Sequence, residues 1–352
     1  MEDLPMTTDK SPAMLCTGIG SLPHHNSDAA LAFAFKTDIP FLPQIPIRNP
    51  WEYMIAQSLE GLPGLEVEKD GSVCLNLDVW MGRTHALNEK LLNAFSAQRG
   101  FEAFEPSPAS SSNWQPFLWE LEEKGTKWAK IQLAGPLTCE WVMRLKDGKT
   151  TEKHPEISTQ IFRLVLARAM AMCQRLRALG IQPILFLDEP GLYAFSPSNP
   201  RHLLALRELK LMIQTLRKEG VLVGLHCCSN THWTSVLDLE PSFLSLDTKL
   251  SLEPLLVELP AVEKFVHNGG RLSLGVIPTA LSSDQIRDLD GGSLFESLMM
   301  SFRKCPPSFV GKILKEALYT PACGLALQTP SDAERILELL IDFTKFCKTS
   351  IL

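Results

Sequence analysis

The sequence predicts a mixed α/β fold, specifically a (β/α)8 TIM barrel that forms one domain with an insertion after its second strand. Hydrophobic residues make up 45% and charged residues 21% of the 352-residue chain, which is typical of a globular protein. Short apolar runs alternate along the chain with longer segments of helical periodicity. Polar side chains follow the apolar runs directly, where the active site of such a barrel lies.

Eight runs have the length and the apolar or β-branched composition of buried strands. They are Ala13–Thr17, Ile39–Leu42, Trp128–Leu133, Ile184–Leu187, Val221–Leu225, Phe243–Leu246, Arg271–Leu274 and Ala317–Thr320. Most of them are followed by a segment with helical periodicity. These segments are Ala29–Lys36, Pro50–Glu60, Pro155–Leu179, Arg201–Lys218, Glu253–His267 and Ser331–Lys348. This order of elements is that of a (β/α)8 barrel.

Two parts of the chain fall outside this regular order. Residues 1–12 are predicted to be a disordered tail, and residues 13–352 are predicted to form the barrel domain. Between the second and third strands, Ser72–Trp80 alternates apolar and polar residues like a strand and pairs with Leu65–Val67 as a hairpin. The Ser/Pro-rich run Glu105–Asn113 follows it. We expect these segments to form the insertion.

Charge and hydropathy argue against several classes of partner. The net charge of -6 gives no basic surface for nucleic acid or anionic lipid, so neither a nucleic-acid nor a membrane partner is expected. No apolar run approaches the roughly 20 residues of a transmembrane helix. The segment Met1–Ser11 is polar and acidic, unlike a signal peptide. Nine cysteines without regular spacing indicate free, reduced thiols, so we expect a cytoplasmic protein.

Candidate metal ligands follow three of the predicted strands. His226 and Cys228 come directly after Val221–Leu225, Asp247 follows the sixth strand, and Cys323 follows the last. A barrel brings these strand ends to one rim, and an imidazole with two thiolates suits Zn²⁺. Each residue also has a structural interpretation. His226 can be a hydrogen-bonded core histidine, Cys323 a buried thiol before a turn glycine, and Asp247 a helix cap.

Two carboxylates end the fourth strand. Asp188 and Glu189 follow the apolar run Pro183–Leu187, and both are predicted to be catalytic. One carboxylate would hold a substrate ammonium group, and the other would orient a ligand or act as a base. A purely structural role would be an ion pair with Arg48 or Arg83 at the rim.

A glycine-containing turn after the first strand is the third candidate. In this turn, Ile19, Gly20 and Ser21 offer backbone groups that can approach a ligand closely, and we predict that they bind substrate. The turn lacks the G-x-G-x-x-G pattern and the acidic residue of a dinucleotide-binding site.

Taken in order, these motifs resemble those of the cobalamin-independent methionine synthase family, specifically its catalytic C-terminal barrel, and more widely the uroporphyrinogen decarboxylase-like superfamily. The motifs are Thr17-Gly18-Ile19-Gly20-Ser21-Leu22-Pro23, Leu133-Ala134-Gly135-Pro136-Leu137-Thr138, Leu187-Asp188-Glu189-Pro190, His226-Cys227-Cys228 and Pro321-Ala322-Cys323-Gly324-Leu325. The resemblance implies that Ser21 and its neighbours hold the amino acid and that Asp188 binds the amine of homocysteine. It also implies that His226, Cys228 and Cys323 bind zinc, with Asp247 in place of the family's glutamate.

The chain departs from the family pattern at several places. Gln44 or Ile45 replaces an acidic residue before Arg48-Asn49, and no histidine follows Gly275-Val276-Ile277-Pro278-Thr279. The resemblance implies a zinc-dependent methyltransferase that methylates a thiol, with homocysteine as the first candidate and methionine biosynthesis as its setting. The methyl donor is a folate or, as a similar H-x-C-G-N-T motif suggests, a corrinoid protein. The same motifs are also compatible with a non-catalytic metal- or small-molecule-binding barrel and with a metal-free lyase.

Overall fold

The computed structural model describes residues 12–351, so all but the last residue of the predicted disordered tail, 1–12, lies outside the described residues. The strands are β1 (Leu15–Cys16), β2 (Leu65–Val67), β3 (Val73–Leu75), β4 (Trp128–Ala134), β5 (Arg144–Leu145), β6 (Gln182–Asp188), β7 (Leu222–His226), β8 (Phe243–Asp247), β9 (Arg271–Ile277) and β10 (Leu318–Pro321). The helices are α1 (Ser27–Ala34), α2 (Met54–Ser58), α3 (Leu77–Ala97), α4 (Trp114–Glu123), α5 (Pro136–Val142), α6 (Pro155–Ala178), α7 (Pro200–Lys218), α8 (Trp233–Leu237), α9 (Thr248–Val257), α10 (Leu259–His267), α11 (Ser283–Arg287), α12 (Gly291–Ser301), α13 (Pro307–Glu316) and α14 (Pro330–Ile351).

A curled, parallel, seven-stranded sheet forms the centre of the fold. Its strand order is β1-β10-β9-β8-β7-β6-β4, and every neighbouring pair is parallel. Seven of the eight predicted strands are therefore confirmed. Strands buried on both faces read as continuous apolar runs, which is why the sequence shows them clearly. The mixed α/β class is confirmed, with a sheet that has the curvature of half a barrel.

The remaining predicted strand, Ile39–Leu42, is not a regular strand, although its segment hydrogen-bonds at both edges of the sheet. On one side Leu42 N donates to Lys130 O of β4 at 2.9 Å, and on the other Gln44 N donates to Gly20 O at 3.0 Å. Isolated parallel bridges join Phe41 with Lys130 and Ser21 with Gln44. Pro40 and Pro43 lack an N–H and interrupt a continuous ladder. A regular eighth strand, and with it the complete predicted barrel, is not observed.

A small second sheet, in the order β2-β3-β5, joins two strands of the insertion to β5, which follows α5. The predicted hairpin is confirmed, since Val67 pairs with Val73 and Leu65 with Leu75 in antiparallel register. The predicted strand Ser72–Trp80 is wrong beyond Leu75, because Asn76 caps α3 and its side chain accepts a hydrogen bond from Val79 N at 3.3 Å. The alternation seen in the sequence coincides there with the first turn of a helix.

The Ser-rich end of the insertion is fastened to the segment that carries Gln44. Asn113 Nδ2 donates to Pro43 O at 3.0 Å. The buried Glu52 accepts hydrogen bonds from Ile45 N at 2.6 Å and from Ser112 Oγ at 2.6 Å. The insertion therefore supports the segment that follows the predicted strand Ile39–Leu42.

The concave side of the sheet has its own small apolar cluster, distinct from the large core between sheet and helices. Its buried members are Ile39, Ile184, Phe186, Phe243 and Leu318. Along β6, side chains at alternate positions share a face, so Asp188 lies on the same side of the sheet as this cluster and nearer the carboxyl end of the strand. Polar residues thus cover the apolar cluster at the carboxyl ends of the strands. In the part of the chain that the structure describes, no helix is long and apolar enough to cross a membrane.

Candidate functional site

Three candidate ligands meet at the carboxyl ends of β7 and β10. One donor atom from each of His226, Cys228 and Cys323 lies within 4.8 Å of the other two. His226 ends β7, and Cys228 follows it by two residues. Cys323 likewise follows β10 by two residues, just after a shift in the register of that strand between Thr320 and Pro321. The structure therefore brings together an imidazole and two thiols that can share one metal ion.

Ser245 fixes the orientation of the His226 ring. His226 Nδ1 lies 2.9 Å from Ser245 Oγ, and the two residues are partners in the register of β7 and β8. His226 is buried, with 4% of its surface exposed. Because Nδ1 is engaged, Nε2 is the nitrogen left for the two cysteines. Metal-binding histidines are commonly held in this way through their second nitrogen.

Replacing Ser245 with alanine is expected to weaken metal binding about 10–100-fold, because the His226 ring loses the partner that orients it. A competition titration with a chromogenic zinc chelator measures the affinity. Ser242→Ala is the matched control, because Ser242 precedes the same strand by one residue and forms no contact with His226. Equal affinities for Ser245→Ala and wild type would show that the ring needs no such support.

The two cysteines do not titrate independently. Hydrogen bonds from Cys323 and His226 lower the pKa of Cys228, while the same pairing with Cys228 and burial raise the pKa of Cys323. The pairing of the two sulfur atoms therefore favours one thiolate within the cluster. Thiolates are the form of cysteine that binds metals and reacts as a nucleophile. In contrast, Cys227 is buried, and burial raises its pKa to about 12.

Asp247 lies outside the group of three. It caps α9, and its Oδ1 accepts hydrogen bonds from Lys249 N at 2.8 Å and Leu250 N at 3.2 Å. Burial raises its pKa, and the nearby Cys228 raises it further. Asp247 therefore serves as a helix cap close to the cysteines, and only Oδ2 remains for a ligand. Its role as the fourth ligand stays a prediction.

Asp188 borders the three ligands and has an unsatisfied oxygen. It is 6% exposed and is the register partner of His226 in the sheet. Its buried Oδ1 has no hydrogen-bond partner among the described residues. Burial raises its pKa, whereas the charges of Lys130 and His226 lower it. A buried carboxylate oxygen without a partner costs free energy, so Asp188 is suited to bind a donor group of a ligand.

Glu189 points away from this cluster and fastens the next helix. It is fully buried, and its oxygens accept hydrogen bonds from Leu137 N at 3.0 Å, Thr138 N at 2.7 Å and Thr138 Oγ1 at 2.6 Å. Burial raises its pKa to about 7. Its oxygens already bind the first turn of α5, so the structure favours an anchoring role for Glu189, and its predicted catalytic role remains untested. Neither carboxylate forms an ion pair with Arg48 or Arg83 in the part of the chain described.

The turn containing Ile19, Gly20 and Ser21 lies beside the loop that carries Cys323. Leu325 N donates to Ser21 O at 2.8 Å, and a side chain at Gly324 would collide with the Ser21 hydroxyl group. A side chain at Gly20 would collide with the amide of Gln132. The predicted substrate-binding turn is thus held close to the cysteine, although it forms no part of the ligand cluster.

The sequence analysis did not single out a buried lysine of this region. Lys130 lies in the middle of β4 and is 2% exposed. Its ammonium group donates to Ile19 O and, at 3.0 Å, to Gln132 Oε1. Lys130 and Gln132 occupy alternate positions of an otherwise apolar strand, and this pattern could have indicated a buried polar pair. Charged residues are almost never fully buried without a partner.

Trp141 follows β4 on α5 and contacts a histidine at the same end of the sheet. The Trp141 and His202 ring centroids are 4.5 Å apart with an interplanar angle of 30°. Phe195 adds a second ring beside His202, at 6.1 Å. One face of Trp141 is therefore covered by the protein itself.

Searches of protein-family models and of curated protein sequences find no match to this chain. The function of the site is therefore inferred from the residues described above.

Proposed function

We propose that the protein is a zinc-dependent methyltransferase that transfers a methyl group to a thiol, with homocysteine as the first candidate acceptor. The observation that carries the proposal is the convergence of His226, Cys228 and Cys323, whose donor atoms lie within 4.8 Å of one another. One imidazole and two thiolates form a donor set that favours zinc and leaves a coordination position for an exchangeable ligand. We further propose that the segment 39–44 takes the place of the eighth strand, so that the sheet acts as a complete barrel.

The His226 imidazole and the sulfur atoms of Cys228 and Cys323 would hold the zinc ion, because these are donor types that zinc takes in proteins. Ser245 orients the His226 ring, so this ligand is already held in place for the metal. Asp247 Oδ2 is the fourth protein ligand that we propose. Its other oxygen, Oδ1, would remain hydrogen-bonded to the N-terminus of α9.

A bound zinc ion lowers the pKa of an acceptor thiol and leaves its sulfur nucleophilic. In the proposed reaction a sulfur–methyl bond forms while the bond between the methyl group and its donor breaks, and the electron pair of that bond stays on the donor. The thiol loses its proton, and a folate donor takes up one proton at the nitrogen that has lost the methyl group, whereas a corrinoid donor keeps the electron pair on its cobalt. Asp188 accepts a hydrogen bond from the ammonium group of the acceptor, which gives its buried Oδ1 a partner. Ile19, Gly20 and Ser21 hold the other end of the acceptor against the Cys323 loop. These contacts align the sulfur with the methyl group, as an in-line displacement requires.

The donor is a methylated folate or a methylated corrinoid protein, because both deliver a methyl group to a zinc-activated thiol. We place the reaction in methionine biosynthesis in the cytoplasm. The test is methyl transfer from 5-methyltetrahydrofolate or methylcobalamin to homocysteine, measured as methionine formed by the zinc-loaded protein. We expect turnover with one donor and a loss of about 10²–10³-fold in kcat/KM for Asp188→Asn, because the amide no longer balances the ammonium charge. Methionine formation that persists after removal of zinc would contradict the proposal.

One feature of the chain favours a second candidate, a barrel that binds metal and a small molecule without catalysis. β9 ends at Ile277, and Pro278, Thr279 and the following residues to Ser282 include no histidine that could act as an acid. In this case the zinc-loaded protein would bind homocysteine with a measurable heat yet form no methionine with either donor. Turnover that depends on Cys228 would exclude this candidate.

A further inference from the structure

Lys130 is a buried cation for which the proposed reaction has no direct use. It is 2% exposed, and its Nζ lies 5.3 Å from the centroid of the Phe186 ring, in the apolar cluster beneath the site. Burial lowers its pKa to about 8, and the charge of Asp188 opposes this decrease. Removing an ammonium group from water costs several kcal/mol unless it is paired and hydrogen-bonded. Such a residue needs a reason beyond packing.

The partners of Lys130 belong to the acceptor-binding side of the site. Its ammonium group donates to Ile19 O, directly before the Gly20-Ser21 pair, and to Gln132 Oε1 at 3.0 Å. Gln132 Nε2 donates in turn to Leu42 O at 2.8 Å. One buried group thus joins β4, the turn after β1 and the segment that replaces the eighth strand.

The charge of Lys130 also acts on Asp188. Among the neighbouring charges, that of Lys130 lowers the pKa of this carboxylate most, whereas burial raises it. Lys130 therefore binds the turn of the proposed acceptor site directly and is a charged neighbour of its carboxylate.

A nucleophilic role for Lys130 does not fit its surroundings. Two of its three ammonium hydrogens are engaged below the Ile19 turn, and the residue has almost no exposed surface. A carbonyl substrate could not reach Nζ without displacing the turn.

We propose that Lys130 is a positioning residue for the amino-acid part of the acceptor, which it controls by fixing the Ile19–Ser21 turn through its hydrogen bonds to Ile19 O and Gln132. The inference rests on the proposed function and adds a specificity: Lys130 favours thiols that carry an amino acid group over thiols that carry none. Its action is separate from the metal ligands, so the metal and a simple thiol bind without it.

The test compares two thiols on zinc-loaded protein by isothermal titration calorimetry. Homocysteine carries the amino and carboxylate groups, and 2-mercaptoethanol carries only the thiol and a hydroxyl group. Lys130→Met should weaken homocysteine binding about 10–100-fold, leave 2-mercaptoethanol binding within about twofold and leave the zinc content unchanged. Lys130→Arg should restore part of the homocysteine affinity, because it retains charge and donors. Lys127→Met is the control, since Lys127 is exposed and lies just before the same strand.

The outcomes separate a positioning role from a structural one. A loss of affinity for both thiols, or of zinc, would overturn the proposal, because it would indicate general damage to the site. Unchanged homocysteine binding by Lys130→Met would overturn it while leaving the proposed function intact. If zinc-loaded wild type bound neither thiol, the proposed function would fail first and this proposal with it. Should Lys130→Met be recovered only unfolded, Lys130→Gln, which retains a donor, is measured in the same way against the same criteria.

Discussion

Changing Cys228 or Cys323 to serine is expected to lower the affinity of the protein for zinc by about 10²–10³-fold. Structural zinc sites with four ligands have apparent binding free energies of about 10–16 kcal/mol, so each ligand contributes roughly 3–4 kcal/mol. Each serine removes one of the three donors that lie within 4.8 Å of one another. Competition with a chelator of known affinity measures both variants.

Cys305→Ser is the matched control for these variants. Cys305 is a free, partly exposed cysteine between α12 and α13 that does not belong to the group of three donors, so its loss should leave zinc affinity unchanged. Circular dichroism of each variant checks that the fold is retained. If Cys228→Ser and Cys305→Ser bound zinc equally well, the cluster would not be the metal site.

Glu189→Ala is the second substitution with a large expected effect. It should lower the free energy of unfolding by about 3–5 kcal/mol. The substitution leaves the buried N–H groups of Leu137 and Thr138 and the Thr138 hydroxyl group without their acceptor. It also removes the carboxylate from the N-terminus of α5, where the helix dipole favours a negative charge. The free energy of unfolding in urea measures the effect.

Glu122→Ala, an exposed position near the end of α4, is the control and should change the free energy of unfolding by less than about 0.5 kcal/mol. Zinc content separates anchoring from ligation. An anchoring Glu189 predicts that folded Glu189→Ala still binds one zinc ion. A variant as stable as wild type would show that Glu189 does not hold α5.

The strands of the central sheet were predictable because strands buried on both faces are written as apolar runs. β6 and β7 illustrate this, since each appears in the sequence as a largely apolar segment that ends in a polar residue, Asp188 or His226. The segment around Phe41 has the same composition, but the prolines on either side of it prevent a regular ladder. The composition of a segment indicates that it is buried. Whether the segment also pairs as a regular strand depends on which of its residues have a backbone N–H to donate.

Residues of the site could be predicted where they follow parallel strands, because the fold brings the ends of these strands together. Cys323 is remote from His226 in the sequence, and only the meeting of parallel strand ends at one edge joins them. The choice between cap and ligand for Asp247 could not be made, because one carboxylate suits both roles at a strand end. Lys130 was missed because a single lysine carries no spacing pattern, and its partners, such as Ile19 O, are backbone atoms.

Metal content of the wild-type protein, purified without added metal, tests the central claim most directly, with a thiol titration in parallel. The proposed site predicts one zinc per chain and two cysteines, Cys228 and Cys323, that become reactive only after a chelator is added. Protein without zinc, whose nine cysteines react identically with and without the chelator, would contradict the claim that these residues form a zinc site.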